Sequence, residues 1–419
     1  MALVFNVIFY SRMQSRFTGM SENNEHPNHP SVDQSDRTVP RNLRQTGDPN
    51  IEMLVSTRVR KSPFFDKSFN EEGAWRCTVY NRLYHPRGLV EPEDGGVLND
   101  PVLLRPEEDE FWFSISDSTL MQWIQGVNVD NDFDVEIDEI DVAPMQIQGP
   151  LSEDVMVDVV GDEVSEIPYY GLMSAEINGC DVLISQTGFS GEAGFEIYVE
   201  DAQENAEKVW DPVMETVKDH GGRQIAPGHH RRIAAGIMSW GQDLDHETSP
   251  FQVNLGYHVP DDKDADYIGK EALEEQKEQI ENGEYPFTHK LIGLKMAGEP
   301  IRDYAPDFWL ISDPETGEEC GYLTSPWWNP DLETNIGMGF VPAEKIQEVT
   351  DTPLNDDIYD EELDLEFQVH LPDEYSEEPG EPTFATAATV PFKESVNPSA
   401  REQAKLNARK EAEANSSDD

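Results

Sequence analysis

The chain has 419 residues, with 85 Asp+Glu against 30 Lys+Arg and a formal net charge of −55. A surface so acidic offers no broad basic face for phosphate neutralisation and is repelled by an anionic bilayer, which excludes nucleic acid and membrane surfaces as partners. Disorder is excluded as well, because 37% hydrophobic residues with 8 Trp, 13 Tyr and 18 Phe can fill a core.

Self-repulsion at this charge destabilises a compact state unless salt screens it, and at about 1 M the Debye length is only about 3 Å. The composition therefore predicts a cytoplasmic protein of an extreme halophile. Dialysis into low salt is expected to unfold it, and a melting midpoint indifferent to salt contradicts this. Cys77, Cys180 and Cys320 are scattered and odd in number, so neither a disulfide framework nor a metal site is expected. The longest apolar run, ALVFNVIFY at the N-terminus, is shorter than the ~20 residues of a membrane span and lacks a basic flank.

Residues 1–19 carry Arg12 and Arg16 but no acidic residue, foreign to the rest of the chain. Residues 1–48 read as a disordered or mis-called N-terminal arm, with translation starting at Met20. Residues 49–284 read as one globular domain. Within it DEFWFSIS (109–116) alternates as a strand, and STLMQWIQGV has helical spacing with Ser118 as a cap. DFDVEIDEI (132–140) is predicted as a strand, as are CDVLISQTGF and GFEIYVE. AQENAEKVWDPVMETVKDHGG is an amphipathic helix stopped by Gly221 and Gly222, and KEALEEQKEQIENG a shorter one ending near Gly283. Residues 285–395 break into short apolar runs between Pro and Gly, the texture of a β-barrel or sandwich. Residues 396–419 are a polar tail.

The glycines of GFSGEAG (188–194) invite a phosphate cradle, but the segment runs into a strand where such a cradle needs a helix. Glu196 sits among Phe195, Ile197 and Tyr198, and a carboxylate on an apolar strand needs a partner or must point outward. By alternation Glu196 and Tyr198 share one face. Asn99-Asp100-Pro101 follows a Gly-Gly turn and is compatible with a plain turn or a site. His229, His230, Arg231 and Arg232 form a dense cationic spot, open to reading as a handle for a carboxylate or phosphate or as ion pairing with the abundant surface acids. Trp327, Trp328, Tyr169, Tyr170 and Trp240 could box an onium cation or simply pack a core.

The order of EDGGVLNDPV, QTGFSGEAGFEIYVE, RRIAAGIMSWGQDLD, SPFQVNLGYHV, YIGKEAL and YLTSPWWNPDLETNIGMGFV resembles the folate-dependent aminomethyltransferase family, which includes the glycine cleavage T-protein and the dimethylsulfoniopropionate demethylases. The resemblance spans roughly Ile51 to Phe392. It implies an α+β chain in a three-subdomain clover-like fold with a C-terminal β-barrel, with residues 49–284 binding folate. It implies one-carbon transfer, methyl or aminomethyl, from an onium or amine donor to N5 of tetrahydrofolate, with no metal. Asp100 matches the family's essential aspartate and would position the reacting atoms and offer counter-charge. Glu196 would grip the pterin N–H groups, with Phe189 and Tyr198 flanking the folate and Arg232 nearby. Ser114, Tyr169 and Tyr170 would face the donor, a small molecule or, on a T-protein pattern, an aminomethyl group on a lipoylated carrier protein.

Three departures qualify the resemblance. Gly228-His229-His230 stands where T-proteins have Ala-Arg-Asp, and Asn99-Asp100-Pro101 looks more like the demethylase branch. A strand–helix–strand unit expected before the Gly-Gly turn is absent near 90–91, which leaves the first subdomain incomplete. The missing unit makes a degenerate inactive paralogue one alternative, and the family's non-catalytic folate-binding members make such a relative another.

Overall fold

The computed structural model describes residues 3–6, 95–115, 120–131, 133–225, 228–259, 267–302, 308–350, 354, 363–371 and 381–392. The chain divides into two compact units, the first comprising 1–84 and 101–228, the second 85–100 and 229–419.

The first unit is built on a six-stranded sheet and a separate hairpin. In chain order its strands are β1 (Leu3–Asn6), β2 (Val102–Glu107), β3 (Glu110–Ser114), β4 (Val142–Gln148), β5 (Leu172–Ile177), β6 (Cys180–Ser185), β7 (Gly194–Glu200) and β8 (Arg223–Ile225). The sheet runs β5-β6-β7-β4-β1-β8, antiparallel except between β1 and β8. Alternation divides β7 between its two faces. Phe195, Ile197 and Val199 join Met145 and Ile147 of β4 and Val182 and Ile184 of β6 in the main core. The helices Ser152–Val160 and Ala202–Asp219 cover that face. The second buries Ala202, Ala206, Val209, Trp210, Val213, Met214 and Val217, a stripe at helical spacing. Burial of each large side chain in such a stripe contributes about 1.5–3 kcal/mol. The helix stops where the sequence predicts: Gly221 adopts φ +72°, and Gly222 N–H donates to the Val217 carbonyl at 2.7 Å.

The other face of the sheet carries Glu196 and Tyr198. The β2–β3 hairpin contributes Leu104 and Trp112 to a small cluster with Leu183 and Tyr198. Its outer residues Leu103, Phe111 and Phe113 are exposed.

Of the predicted strand 132–140, residue 132 lies outside the described residues and 133–140 are not a strand. Residues 133–140 form no ladder, and Phe133, Val135 and Ile140 are all exposed. Alternation gives a buried face only where a neighbouring strand exists to bond to, and the place beside β7 is taken by β4, which follows directly.

The second unit contains a closed barrel of β9 (His289–Met296), β10 (Trp309–Ser312), β11 (Glu319–Leu323), β13 (Thr334–Pro342), β14 (Glu366–His370) and β15 (Pro382–Ala388), with β12 (Trp327–Asn329) as a flap on β13. The order is β11-β10-β14-β15-β9-β13, and a β11–β13 pairing closes the ring. Ile292, Leu294, Met296, Ile311, Leu323, Phe367, Val369 and Ala385 fill it. Leu291, Ile336, Met338 and Phe340 face the other way, against Ile233, Met238, Trp240, Leu244 and Val253. The mixed α and β composition and the C-terminal barrel match the expectation. Leu3–Asn6 of the expected N-terminal arm is a sheet strand; the rest of that arm, Ser118 and the tail 396–419 lie outside the described residues. Among the described residues no helix is long and apolar enough to cross a membrane.

Candidate functional site

Two groups of buried polar side chains stand out, one in each unit. In the first, the ladder register sets Glu196 directly opposite Gln146 of β4 and Ser185 of β6. Gln146 Nε2 donates to Glu196 Oε1 at 2.7 Å. Glu196 Oε2 accepts from the Thr187 hydroxyl and from the Tyr198 hydroxyl at 3.2 Å. Only 6% of Glu196 is exposed, and burial raises its carboxyl above the usual range while the bonds from Thr187, Gln146 and Tyr198 oppose that rise. A carboxylate has about four lone-pair sites, so three donors leave room for one more N–H. Burial and the neighbouring Glu196 push the Tyr198 phenol well above its ordinary range, and Ser114 is hydrogen-bonded to it.

The glycine loop serves this group by making room. A Cβ at Gly188 or Gly194 would sit 2.3 Å from the amide of Gln148. That amide donates to the Thr187 carbonyl at 3.2 Å and accepts from Ser190 at 2.6 Å. Phe189, at the crest of the loop, is 38% exposed, and its N–H donates to Gln146 Oε1 at 3.4 Å. Tyr169 and Tyr170 meet edge to face at 4.5 Å. Tyr170 holds φ 62°, a left-handed conformation costly for a bulky residue.

In the second unit Arg232 is buried and uses all five of its N–H donors. They reach His229 Nδ1 (3.1 Å), the Ile237 carbonyl (3.1 Å), Asp243 Oδ2 (2.7 Å), Gln242 Oε1 (3.1 Å) and Ser325 Oγ (2.8 Å). Asp243 is 1% exposed and accepts further bonds from Ser239 N–H at 2.8 Å and from the hydroxyls of Thr324 and Ser325. His229 is held neutral: burial first, then the adjacent Arg232 and His230 charges, lower its pKa to about 2. Because His229 Nδ1 accepts from Arg232, the ring proton resides on Nε2. The structure thus differs from an exposed cationic handle, since the charge of Arg232 is turned inward onto Asp243. Trp240 is core, and Trp327 packs tilted on His229 at 5.4 Å.

The same unit holds the Gly95–Asp100 turn. Gly95 has φ +80°, and a Cβ on Gly96 would lie 1.9 Å from the His246 carbonyl oxygen, so both positions demand glycine. Val97 N–H donates to the Thr248 carbonyl at 2.9 Å. Asp100 is reachable by solvent yet crowded by protein. Its carboxyl is pushed up to about 7, by burial first and by Asp243, against the lowering effects of its own backbone N–H and of Arg232. Sequence reasoning identified Asp100 and Glu196 but missed Asp243, which stands between Gln242 and Leu244 in SWGQDLD with no local pattern to mark it.

The GCVT N-terminal domain family matches residues 88–263. The dimethylsulfoniopropionate demethylase of Ruegeria pomeroyi is 33% identical over 249 residues, 59% of this chain and 64% of that protein. An aminomethyltransferase of a Thermotoga species is 32% identical, with 59% and 65% covered, and one of Bacillus pumilus 31% identical, with 61% and 68% covered. The chain thus spans roughly two thirds of the length of these relatives, and in the first two cases slightly less. The crystal structure of the glycine cleavage system aminomethyltransferase T from Bartonella henselae superposes with a TM-score of 0.54 at 22% identity, covering 73% of this chain and 75% of that one, a likeness of fold.

Proposed function

We infer that this chain, which belongs to the folate-dependent aminomethyltransferase family, transfers a one-carbon unit, methyl or aminomethyl, from a small onium or amine donor to tetrahydrofolate. Tetrahydrofolate supplies the acceptor, its N5. The observation that carries the reading is the Glu196 cluster, a buried carboxylate with acceptor capacity left over beside an exposed aromatic ring. A pterin, flat and edged with N–H groups, fits that combination: Glu196 would accept from its edge while Phe189 and Tyr198 flank it. Tyr169, Tyr170 and Ser114 would face the donor, and aromatic faces attract an onium methyl group. Asp100 would fix the geometry and offset positive charge as the methyl carbon changes partner. Arg232 supports this reading as an organiser of the second unit, bonded to Asp243 and Ser325, rather than through contact with ligand. A lipoylated carrier protein as aminomethyl donor belongs to the T-protein version of the same proposal.

The test is formation of 5-methyl- or 5,10-methylenetetrahydrofolate, read by mass, from dimethylsulfoniopropionate, dimethylglycine, glycine betaine or a lipoyl-bound aminomethyl group in molar salt. Removing a charge-assisted hydrogen bond costs about 1.5–3 kcal/mol, so Glu196→Gln is expected to weaken tetrahydrofolate binding roughly 10- to 100-fold. Equal binding by parent and variant defeats the assignment of Glu196. Because the chain spans 64% of the demethylase, a second reading stays in view: folate binding without turnover marks a non-catalytic relative, and loss of both an inactive paralogue.

A further inference from the structure

Asn99 has a buried side-chain nitrogen and a buried side-chain oxygen, and neither atom has a hydrogen-bond partner among the described residues. An unmade donor and an unmade acceptor in one side chain are each unfavourable, and native structures retain such groups for a reason. The backbone cannot carry the amide outward. Gly96 is pressed against the His246 carbonyl and Val97 is bonded to Thr248, while Pro101 restrains the chain on the other side. The turn also borders space that a ligand can enter. A cleft of about 260 Å³ opens along Gly96, His246, Ser249, Gln252 and Gln276, and Asp100, the next residue, is open to solvent.

We propose that the Asn99 carboxamide is a ligand-binding group, taking a ligand that presents an N–H donor and an oxygen acceptor side by side. A primary amide meets such a pair with two bonds, Oδ1 accepting and Nδ2 donating. The proposal rests on the one-carbon-transfer reading, under which two molecules carry the pair: the pterin of tetrahydrofolate, and the ammonium carboxylate of an N-methylated amino acid. Glycine betaine replaces the N–H of protonated dimethylglycine with a methyl group, so these two form a matched set of probes. A site with a buried acceptor discriminates against the molecule that lacks the hydrogen.

The experiment is calorimetric titration of the full chain and of its Asn99→Leu and Asn99→Ala variants with tetrahydrofolate, dimethylglycine and glycine betaine in molar salt, together with melting of the unliganded proteins. A tenfold or greater loss of affinity for tetrahydrofolate in both variants supports the proposal and assigns the amide to the pterin. A comparable loss for dimethylglycine, with glycine betaine unchanged, supports it and assigns the amide to the donor. Without its orphan amide, unliganded Asn99→Leu or Asn99→Ala is expected to melt no lower than the parent, whereas an amide with a structural partner gives a lower midpoint in both. Affinities within twofold for every ligand in both variants overturn the proposal and leave the amide with an ordered water only. Failure of the parent chain to bind any of the three overturns the one-carbon reading as well, an outcome distinct from unchanged affinities in the variants.

Discussion

Asp243→Ala is expected to remove about 3–5 kcal/mol of folding stability, the penalty for stripping one partner from a buried ion pair. The figure follows from what the substitution leaves behind. Arg232 is 1% exposed and cannot reach water in place of the carboxylate. The Ser239 N–H and the hydroxyls of Thr324 and Ser325 lose their acceptor at the same time. Against a typical total of about 5–15 kcal/mol, the loss is a large share of what holds a domain folded. The cost lies in the unpaired cation more than in the missing anion. Joint replacement by Arg232→Met and Asp243→Leu is therefore expected to be milder than either single change. Denaturant unfolding in molar salt measures both; a single variant within about 1 kcal/mol of the parent rules out the pair as the organising centre of its unit.

Asp100→Asn is expected to lower turnover by about 100- to 1000-fold with little change in folding. The amide keeps the size and some hydrogen bonding but cannot supply counter-charge. The carboxyl itself is raised to about 7, chiefly by desolvation, so its neutral form dominates below that pH and its ionised form above. If the ionised form does the work, kcat/KM climbs with pH through about 7 in the parent, and the climb is absent in the variant. A variant that retains a tenth of the parent's activity, or keeps the same limb, removes Asp100 from the catalytic role.

How much of this was legible in the sequence depends on how local each signal is. Period-two alternation placed Glu196 and Tyr198 on one face of β7, and the structure keeps them there, because burying Phe195, Ile197 and Val199 on the other face admits one register. The helix Ala202–Asp219 and its Gly221-Gly222 stop were equally plain. The partners of Asp243 were not, since Thr324 and Ser325 come from the barrel loop some eighty residues on. For the same reason the cluster 229–232 looked like a cationic handle: four basic residues in a row are visible, and the acid that neutralises Arg232 is not. The predicted strand 132–140 shows the converse error, an alternating pattern for which 133–140 find no strand to pair with among the described residues. The orphan state of the Asn99 amide has no local signature at all, because it consists in the absence of partners among the described residues.

The Glu196 group has a consequence for how this chain can vary. Its carboxylate, the Gln146 amide and the Ser185 hydroxyl come from three adjacent strands at directly opposed positions. Inserting or deleting one residue within β4, β6 or β7 would exchange that strand's polar member for a core side chain, Phe195 or Ile197 in the case of β7. Such changes are closed to evolution and to engineering alike inside the strands. Changes in length are admissible only in the turns of the sheet, such as Asn178-Gly179 between β5 and β6, so divergence in this unit should collect as loop length while the parity of the strands stays fixed.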